Sequence, residues 1–155
     1  MELVIVLVDV RSAGNVGSIF RTADAVGASK IYLCGLTPSP IDRFGRKRKD
    51  ISKASLGAEE IIPFESVKSA TSLVRKLQAA GFKIIAVEQD RRARDYKKVK
   101  INEKMAVVFG GETSGLPKKI LALADDVAEI PMRGEKESLN VAVAAGIALY
   151  RFARF

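Results

Sequence analysis

Three segments of the chain carry polar side chains at spacings that could do chemistry. The first is Asn15-Val16-Gly17-Ser18-Ile19-Phe20-Arg21-Thr22-Ala23-Asp24-Ala25-Val26-Gly27. The second is Phe109-Gly110-Gly111-Glu112-Thr113-Ser114-Gly115-Leu116-Pro117. The third is Ile130-Pro131-Met132-Arg133-Gly134, followed by Ser138-Leu139-Asn140. Read singly, each has an ordinary explanation. Arg21 is a polar residue opposite a helix's apolar stripe, Asn15 and Ser138 look like helix N-caps, and the glycines look like a tight strand-to-helix turn. Such a turn also lets a ligand approach the backbone closely and could cradle a phosphate. It lacks the lysine and hydroxyl of a P-loop, however, and no G-x-G-x-x-G occurs.

The chain contains no histidine, which removes the commonest general base and the commonest metal ligand. Its single cysteine, Cys34, can form neither an intrachain disulfide nor a cysteine-rich zinc site. The apolar run Ile31-Tyr32-Leu33-Cys34 marks that thiol as a core residue rather than a nucleophile. No metal is expected, and the chemistry must rest on other groups or on a reactive cosubstrate.

These residues have to be positioned by alternating strands and helices. Strands are expected at Glu2–Val8, Lys30–Cys34, Glu60–Phe64, Lys83–Val87, Met105–Phe109 and Val127–Ile130. Several are apolar on successive residues, as in strands covered on both faces by helices, so the fold class is α/β with a mostly parallel sheet. Helices are expected over Asn15–Val26, ended by Gly27, then after a Ser66 cap with Val67, Ala70, Val74 and Leu77 on one face. A short helix should start at Pro117. The last helix, roughly Leu139–Arg154, is apolar nearly all round, and a second subunit is the simplest cover for its outer side. A homodimer is therefore expected.

The 155 residues, 48% hydrophobic, suit one compact domain over 1–155. No apolar run is long enough to span a bilayer, and the N-terminus lacks a signal peptide's basic region and cleavage site. No membrane association and a cytoplasmic location are expected. The net charge of +8 favours a polyanionic partner, with nucleic acid the leading candidate. Two stretches concentrate that charge: Arg43-Phe44-Gly45-Arg46-Lys47-Arg48-Lys49, and Arg91-Arg92-Ala93-Arg94 running on to Lys100. A charge run is usually a solvated face. Here both runs follow strand carboxyl ends, where open α/β sheets bind ligands, and they interleave Phe44 and Tyr96, aromatics able to stack on bases. Arg43, Arg46, Lys47, Arg48, Lys49, Arg91, Arg92 and Arg94 are thus the candidate RNA contacts.

Taken together, in this order, the three polar segments resemble the signature motifs of the SpoU (TrmH-like) branch of the SPOUT RNA methyltransferases. The patterns N-x-G-x-I-x-R-T-A-x-A-x-G, F-G-x-E-x-x-G-L and I-P-M-x-G-x-x-x-S-L-N are met without a gap. The resemblance runs from the first strand to the last helix. It implies an α/β sheet whose C-terminal part forms a deep trefoil knot, a feature the general rarity of knots would argue against. It also implies transfer of a methyl group from S-adenosylmethionine to a ribose 2′-hydroxyl of tRNA or rRNA, by a homodimer. On this reading Gly110, Gly111, Ile130, Met132 and Leu139 line the donor site, with Glu88 and Gln89 beside it. Arg21 takes the main catalytic role, Asn15 orients it or the substrate, and Glu112, Ser138 and Asn140 shape the site. Many members carry an RNA-binding domain ahead of the catalytic one. Here the first strand starts at Glu2, so recognition is expected to lie in the catalytic domain itself. Two other readings compete: a knotted RNA-binding protein that no longer catalyses, and a nucleotide-binding α/β protein using Gly110–Gly115 for phosphate.

Overall fold

The computed structural model describes all residues 1–155. Seven strands form one sheet in the order β3-β2-β1-β6-β4-β7-β5, and every pairing is parallel. The strands are β1 (Glu2–Val8), β2 (Lys30–Cys34), β3 (Phe64–Val67), β4 (Lys83–Val87), β5 (Arg94–Asp95), β6 (Lys104–Gly110) and β7 (Asp126–Glu129). The helices are α1 (Ala13–Val26), α2 (Lys49–Ser55), α3 (Ala58–Ile61), α4 (Ala70–Ala79), α5 (Lys118–Leu123) and α6 (Val141–Phe152).

The apolar runs explain the layering. In β1, Leu3, Ile5 and Leu7 point into one core and Val4, Val6 and Val8 into another. Successive strand residues face opposite ways, so a run apolar at every position needs helices on both sides. One face is covered by α1, α2 and α6 through Val16, Ile19, Phe20, Ile51, Ala145, Leu149 and Phe152. The other is covered by α4 and α5 through Leu73, Val74, Leu77 and Ile120. Cys34 is fully buried in this second core; burial, and secondarily the charge of Asp9, push its thiol up to about 12, so it is a protonated core group.

The third strand and the helix after it lie further along the chain than the sequence suggests. Glu60 belongs to α3, and β3 begins only at Phe64. Pro63 cannot donate to a ladder, but its carbonyl accepts from Ile31 N–H at 2.9 Å, so pairing starts just beyond it. Ser66 and Val67 are consequently strand residues, and α4 is capped by Ser69, whose Oγ accepts from Ser72 N–H at 3.2 Å. Ser12 rather than Asn15 caps α1, accepting from Asn15 N–H at 3.2 Å, and Gly27 ends it at φ 70°. Asn140 rather than Ser138 caps α6. Lys49, the last residue of the first basic stretch, opens α2, and Arg94 lies in the short edge strand β5.

Close approach of α2 to α1 depends on Gly17. A Cβ there would stand 2.5 Å from the Ile51 carbonyl oxygen and 2.7 Å from Ala54 Cβ. Gly17→Ala would gain about 1 kcal/mol of helix propensity and lose roughly 2–3 kcal/mol to overpacking. The expected net loss of ~1–2 kcal/mol corresponds to a melting temperature lower by roughly 2–8 °C in a domain of this size, measurable by calorimetry.

Candidate active site

The carboxyl ends of β4, β6 and β7 open into a cleft of about 570 Å³. Its walls come from the segment after β4, the turn after β6, and the stretch that leads from β7 into α6. All seven residues expected at the donor site (Glu88, Gln89, Gly110, Gly111, Ile130, Met132 and Leu139) line it, and so do Glu112, Ser138 and Asn140.

A chain of hydrogen bonds joins the three motifs. Asn140 Oδ1 accepts from Ala142 N–H at 2.9 Å and Val143 N–H at 3.3 Å, so it is committed to the first turn of α6. Its Nδ2 is left to donate to Asn15 Oδ1 at 3.1 Å. Asn15 Nδ2 then donates to Glu112 Oε1 at 3.0 Å. Glu112 also accepts from Arg11 N–H at 3.2 Å and Ser12 N–H at 3.1 Å, at the positive end of α1. The sense of both amides follows from the α6 cap, and every donor in the chain ends on a carboxylate that can only accept. Burial raises the Glu112 pKa, but the bonds from Asn15, its own backbone, Ser12 and Arg11 outweigh that and hold it below the ordinary glutamate value.

The glycine turn is packed by the chain itself. A Cβ on Gly110 would meet the Gly115 carbonyl carbon and Leu116 N; one on Gly111 would meet the Asp9 carbonyl oxygen. Gly115, at φ 64°, sits against the Glu88 carboxylate. Glu88 Oε2 accepts from Leu116 N–H at 2.9 Å and Oε1 from Gln89 N–H at 2.9 Å, so Glu88 braces the turn. Sequence reasoning missed three charged side chains of the cleft, Asp90, Lys118 and Glu129, and the two backbone donors at Arg11 and Ser12. With Glu88 and Glu112, the lining sets four carboxylates against one lysine, in a protein of net charge +8. A polar residue at or just past a strand's carboxyl end was the available signal for Glu129, which ends β7, and for Asp90, which follows β4; nothing local marks Lys118.

Arg21 lies outside this assembly. It is exposed on α1, two turns beyond Asn15, without a hydrogen-bond or ion-pair partner and outside the cleft lining. Ser138 lines the cleft and makes no hydrogen bond. Of the eight candidate RNA contacts, five have a carboxylate partner. Arg46 pairs with Asp42 at 3.4 Å, Lys47 with Glu60, Arg48 with Asp50 at 2.6 Å, Arg92 with Asp90 at 3.9 Å and Arg94 with Asp126 at 3.3 Å. Arg43, Lys49 and Arg91 have none.

Because the folded Glu112 has a depressed pKa, its stabilisation is complete above the ordinary glutamate value and is lost as pH falls below it toward the folded value. Glu112→Gln should therefore cost on the order of 1 kcal/mol at neutral pH, allowing for the solvent screening of this exposed side chain. The difference from wild type should shrink as pH falls through that window. Thermal denaturation of both proteins from neutral pH into the acid range checks this; a constant difference would remove Glu112 as the titrating anchor.

The chain is matched over residues 2–150 by the SpoU rRNA Methylase family. It is 32% identical over 152 residues to the 23S rRNA (guanosine-2'-O-)-methyltransferase RlmB of Vibrio parahaemolyticus, covering 98% of this chain and 59% of that protein. The structure of an AdoMet-bound rRNA methyltransferase from Sinorhizobium meliloti superposes with a TM-score of 0.89 at 34% identity, over 99% of this chain and 56% of that one. A structure described as giving insights into the 2-OH methylation of C/U34 on tRNA superposes with a TM-score of 0.84 at 27% identity, over 99% of this chain and 95% of that one. The chain thus spans well under two thirds of the length of the first two and nearly all of the third. With the three motifs meeting around one cleft, the chain belongs to the SpoU methylase family.

Proposed function

We propose that the protein transfers a methyl group from S-adenosylmethionine to a ribose 2′-hydroxyl of RNA. The observation that carries this is the Glu112–Asn15–Asn140 chain at the edge of a cleft lined by every expected donor-site residue. The cleft's size falls in the range of small-molecule sites, and its excess of carboxylates suits a ligand bearing a sulfonium and an ammonium. That donor supplies a methyl already activated by positive sulfur, so the protein's task is alignment and charge stabilisation. Gly110, Gly111, Ile130, Met132 and Leu139 would hold the donor, with Glu88 keeping the turn closed around it and Gln89 beside it. In the family's knot, the segment from Ile130 to Asn140 threads a loop near this turn. The structure agrees with that course in one respect: α6 packs on α1 and β6 rather than beside β7.

Arg21 would bind an RNA phosphate and stabilise negative charge developing on the 2′-oxygen. A guanidinium stays protonated in proteins, which makes it a poor general base. Its freedom from internal partners leaves all its donors available for substrate. The exposed stripe of α6, with Val143 51% and Tyr150 45% accessible, would be covered by a second copy in a homodimer. The exposed ion pairs of the basic stretches are weak and would exchange their carboxylates for RNA phosphates. Between substrates, we favour tRNA: a tRNA-methylation structure is matched over nearly its full length. Against a knotted protein that had lost catalysis stands the cleft itself, which keeps every expected donor-site residue in its lining.

Incubation with labelled S-adenosylmethionine and either tRNA or rRNA, followed by mass-spectrometric mapping of ribose methylation, tests the reaction and the substrate. Arg21→Ala should bind S-adenosylmethionine with near wild-type affinity by calorimetry while losing roughly 10²-fold or more in turnover. Near-normal turnover in that variant would overturn its role, and a wild type that binds no donor would overturn the methyltransferase reading.

A further inference from the structure

The first basic stretch is a built finger, and its tip is an aromatic ring. Asp42 Oδ1 accepts from Phe44 N–H at 2.8 Å and from Arg46 N–H at 2.9 Å, and Asp42 N–H donates to the Arg46 carbonyl at 2.8 Å. Gly45 makes the bend at φ 76°, and an antiparallel bridge between Ile41 and Lys47 closes the turn behind it. Phe44 is left 65% exposed at the apex. The guanidinium carbons of Arg43 and Arg46 lie 4.8 Å and 4.9 Å from its ring centroid. A lone exposed phenylalanine would need no explanation. One held on an ordered turn with two guanidiniums over its ring is a planar surface already engaged by cations.

The finger also shares an edge and a foundation with the cleft. It leaves the carboxyl end of β2, and in the parallel sheet that is the edge where β4, β6 and β7 open into the cleft. Asp9, whose backbone packs against Gly111 of the cleft turn, accepts from Leu36 N–H at 2.8 Å at the finger's root. Thr37 Oγ1, next along, donates within reach of the Leu7 and Cys34 carbonyls, at 3.1 Å and 2.8 Å, and accepts from Val10 N–H at 3.1 Å. Cleft floor and finger root are thus fastened to the same strand end.

We propose that Phe44 stacks an unpaired nucleobase of the RNA, with Arg43 and Arg46 turning from the ring to the flanking phosphates, so that the substrate is a single-stranded loop rather than a paired helix. This rests on the RNA-methyltransferase reading and deepens it. Base–aromatic stacking is available only where bases are unstacked, and it tolerates any base because each has a π-face. The guanidinium–ring contacts are exposed and weak, so a base that stacks while freeing two cations for phosphate replaces them favourably.

The chain has no tryptophan, so Phe44→Trp places a single emission reporter at the tip. The test measures binding of a labelled RNA hairpin with an unpaired loop, and of a fully paired duplex, to wild type, Phe44→Ala and Phe44→Trp. Calorimetric titration with S-adenosylmethionine verifies that each variant is folded. Phe44→Ala is expected to lose roughly 5- to 150-fold in hairpin affinity, the range one base stack is worth. Its salt slope should be unchanged because no phosphate contact is removed. Phe44→Trp should retain hairpin affinity, and its emission should be quenched on saturation by the hairpin and not by the duplex. Wild-type hairpin affinity in Phe44→Ala, together with unaltered Phe44→Trp emission, sinks the finger and leaves the RNA reading standing. A wild type that binds neither RNA sinks both.

Discussion

The hydrogen bonds from Asn140 through Asn15 to Glu112 fix the relation between the two ends of the chain. Helix α6 needs an acceptor at its N-terminus, and Asn140 Oδ1 is that acceptor. An amide so committed has only its NH₂ left to offer, and so it turns Asn15 into a relay with one possible sense. The relay must end on a pure acceptor, and the amino end of α1 makes an anion favourable in just that place. Each of the three residue types is therefore dictated by the one before it. The side chains are separated by 125 and 97 positions in sequence. Docking of α6, the start of α1 and the turn after β6 are consequently one arrangement rather than three.

The cleft depends on that arrangement in a second way. Its glycines make room for the protein's own backbone: Gly115 and Leu116 fold onto Gly110, and the Asp9 carbonyl presses on Gly111. With Glu88 bonded to Leu116 N–H and Glu112 bonded to the backbone of Arg11 and Ser12, the turn is held at three points. Backbone groups positioned by strand ends and braced in this way keep their geometry without a ligand, which is what a site relying on alignment requires.

What the sequence revealed follows from what is repeated or chemically unusual in it. Strands β1, β4 and β6 were legible because unbroken apolar runs in a chain of this charge have few other uses. The cleft residues were legible because motifs concentrate them. Segment 60–66 was misplaced because Ile61-Ile62 looks like a strand core, while Pro63 delays pairing to Phe64 and Ile61 faces solvent. Helix α2 was hidden because it starts on the last cation of the first basic stretch and runs only to Ser55, and composition says nothing about the close seat that Gly17 provides for Ile51 and Ala54. Asn15 drew attention as a cap because it opens a motif; in fact Ser12 takes that task and frees Asn15 for the relay. Arg21, the most conspicuous residue of its motif, is the one that the single chain leaves without company.

That isolation agrees with how charge is distributed. The protein sets four carboxylates against one lysine in the cleft and carries its clustered cations outside it, so a cationic small molecule and a polyanion would be drawn to different, adjoining places. Five of the eight candidate RNA contacts are lightly held by surface carboxylates, as Arg94 is by Asp126 and Arg48 by Asp50. Such pairs limit the net field while costing little to break when a phosphate arrives. A cation meant to act on the substrate at the reacting atom is a different case. If Arg21 had a carboxylate of its own, the charge it is proposed to stabilise on a ribose oxygen would compete with a fixed negative group in the same shell. An arginine with every donor free, placed on the helix that Glu112 and Asn15 hold in register, would suit the proposed role, that of meeting an anion that exists only while a methyl group is moving.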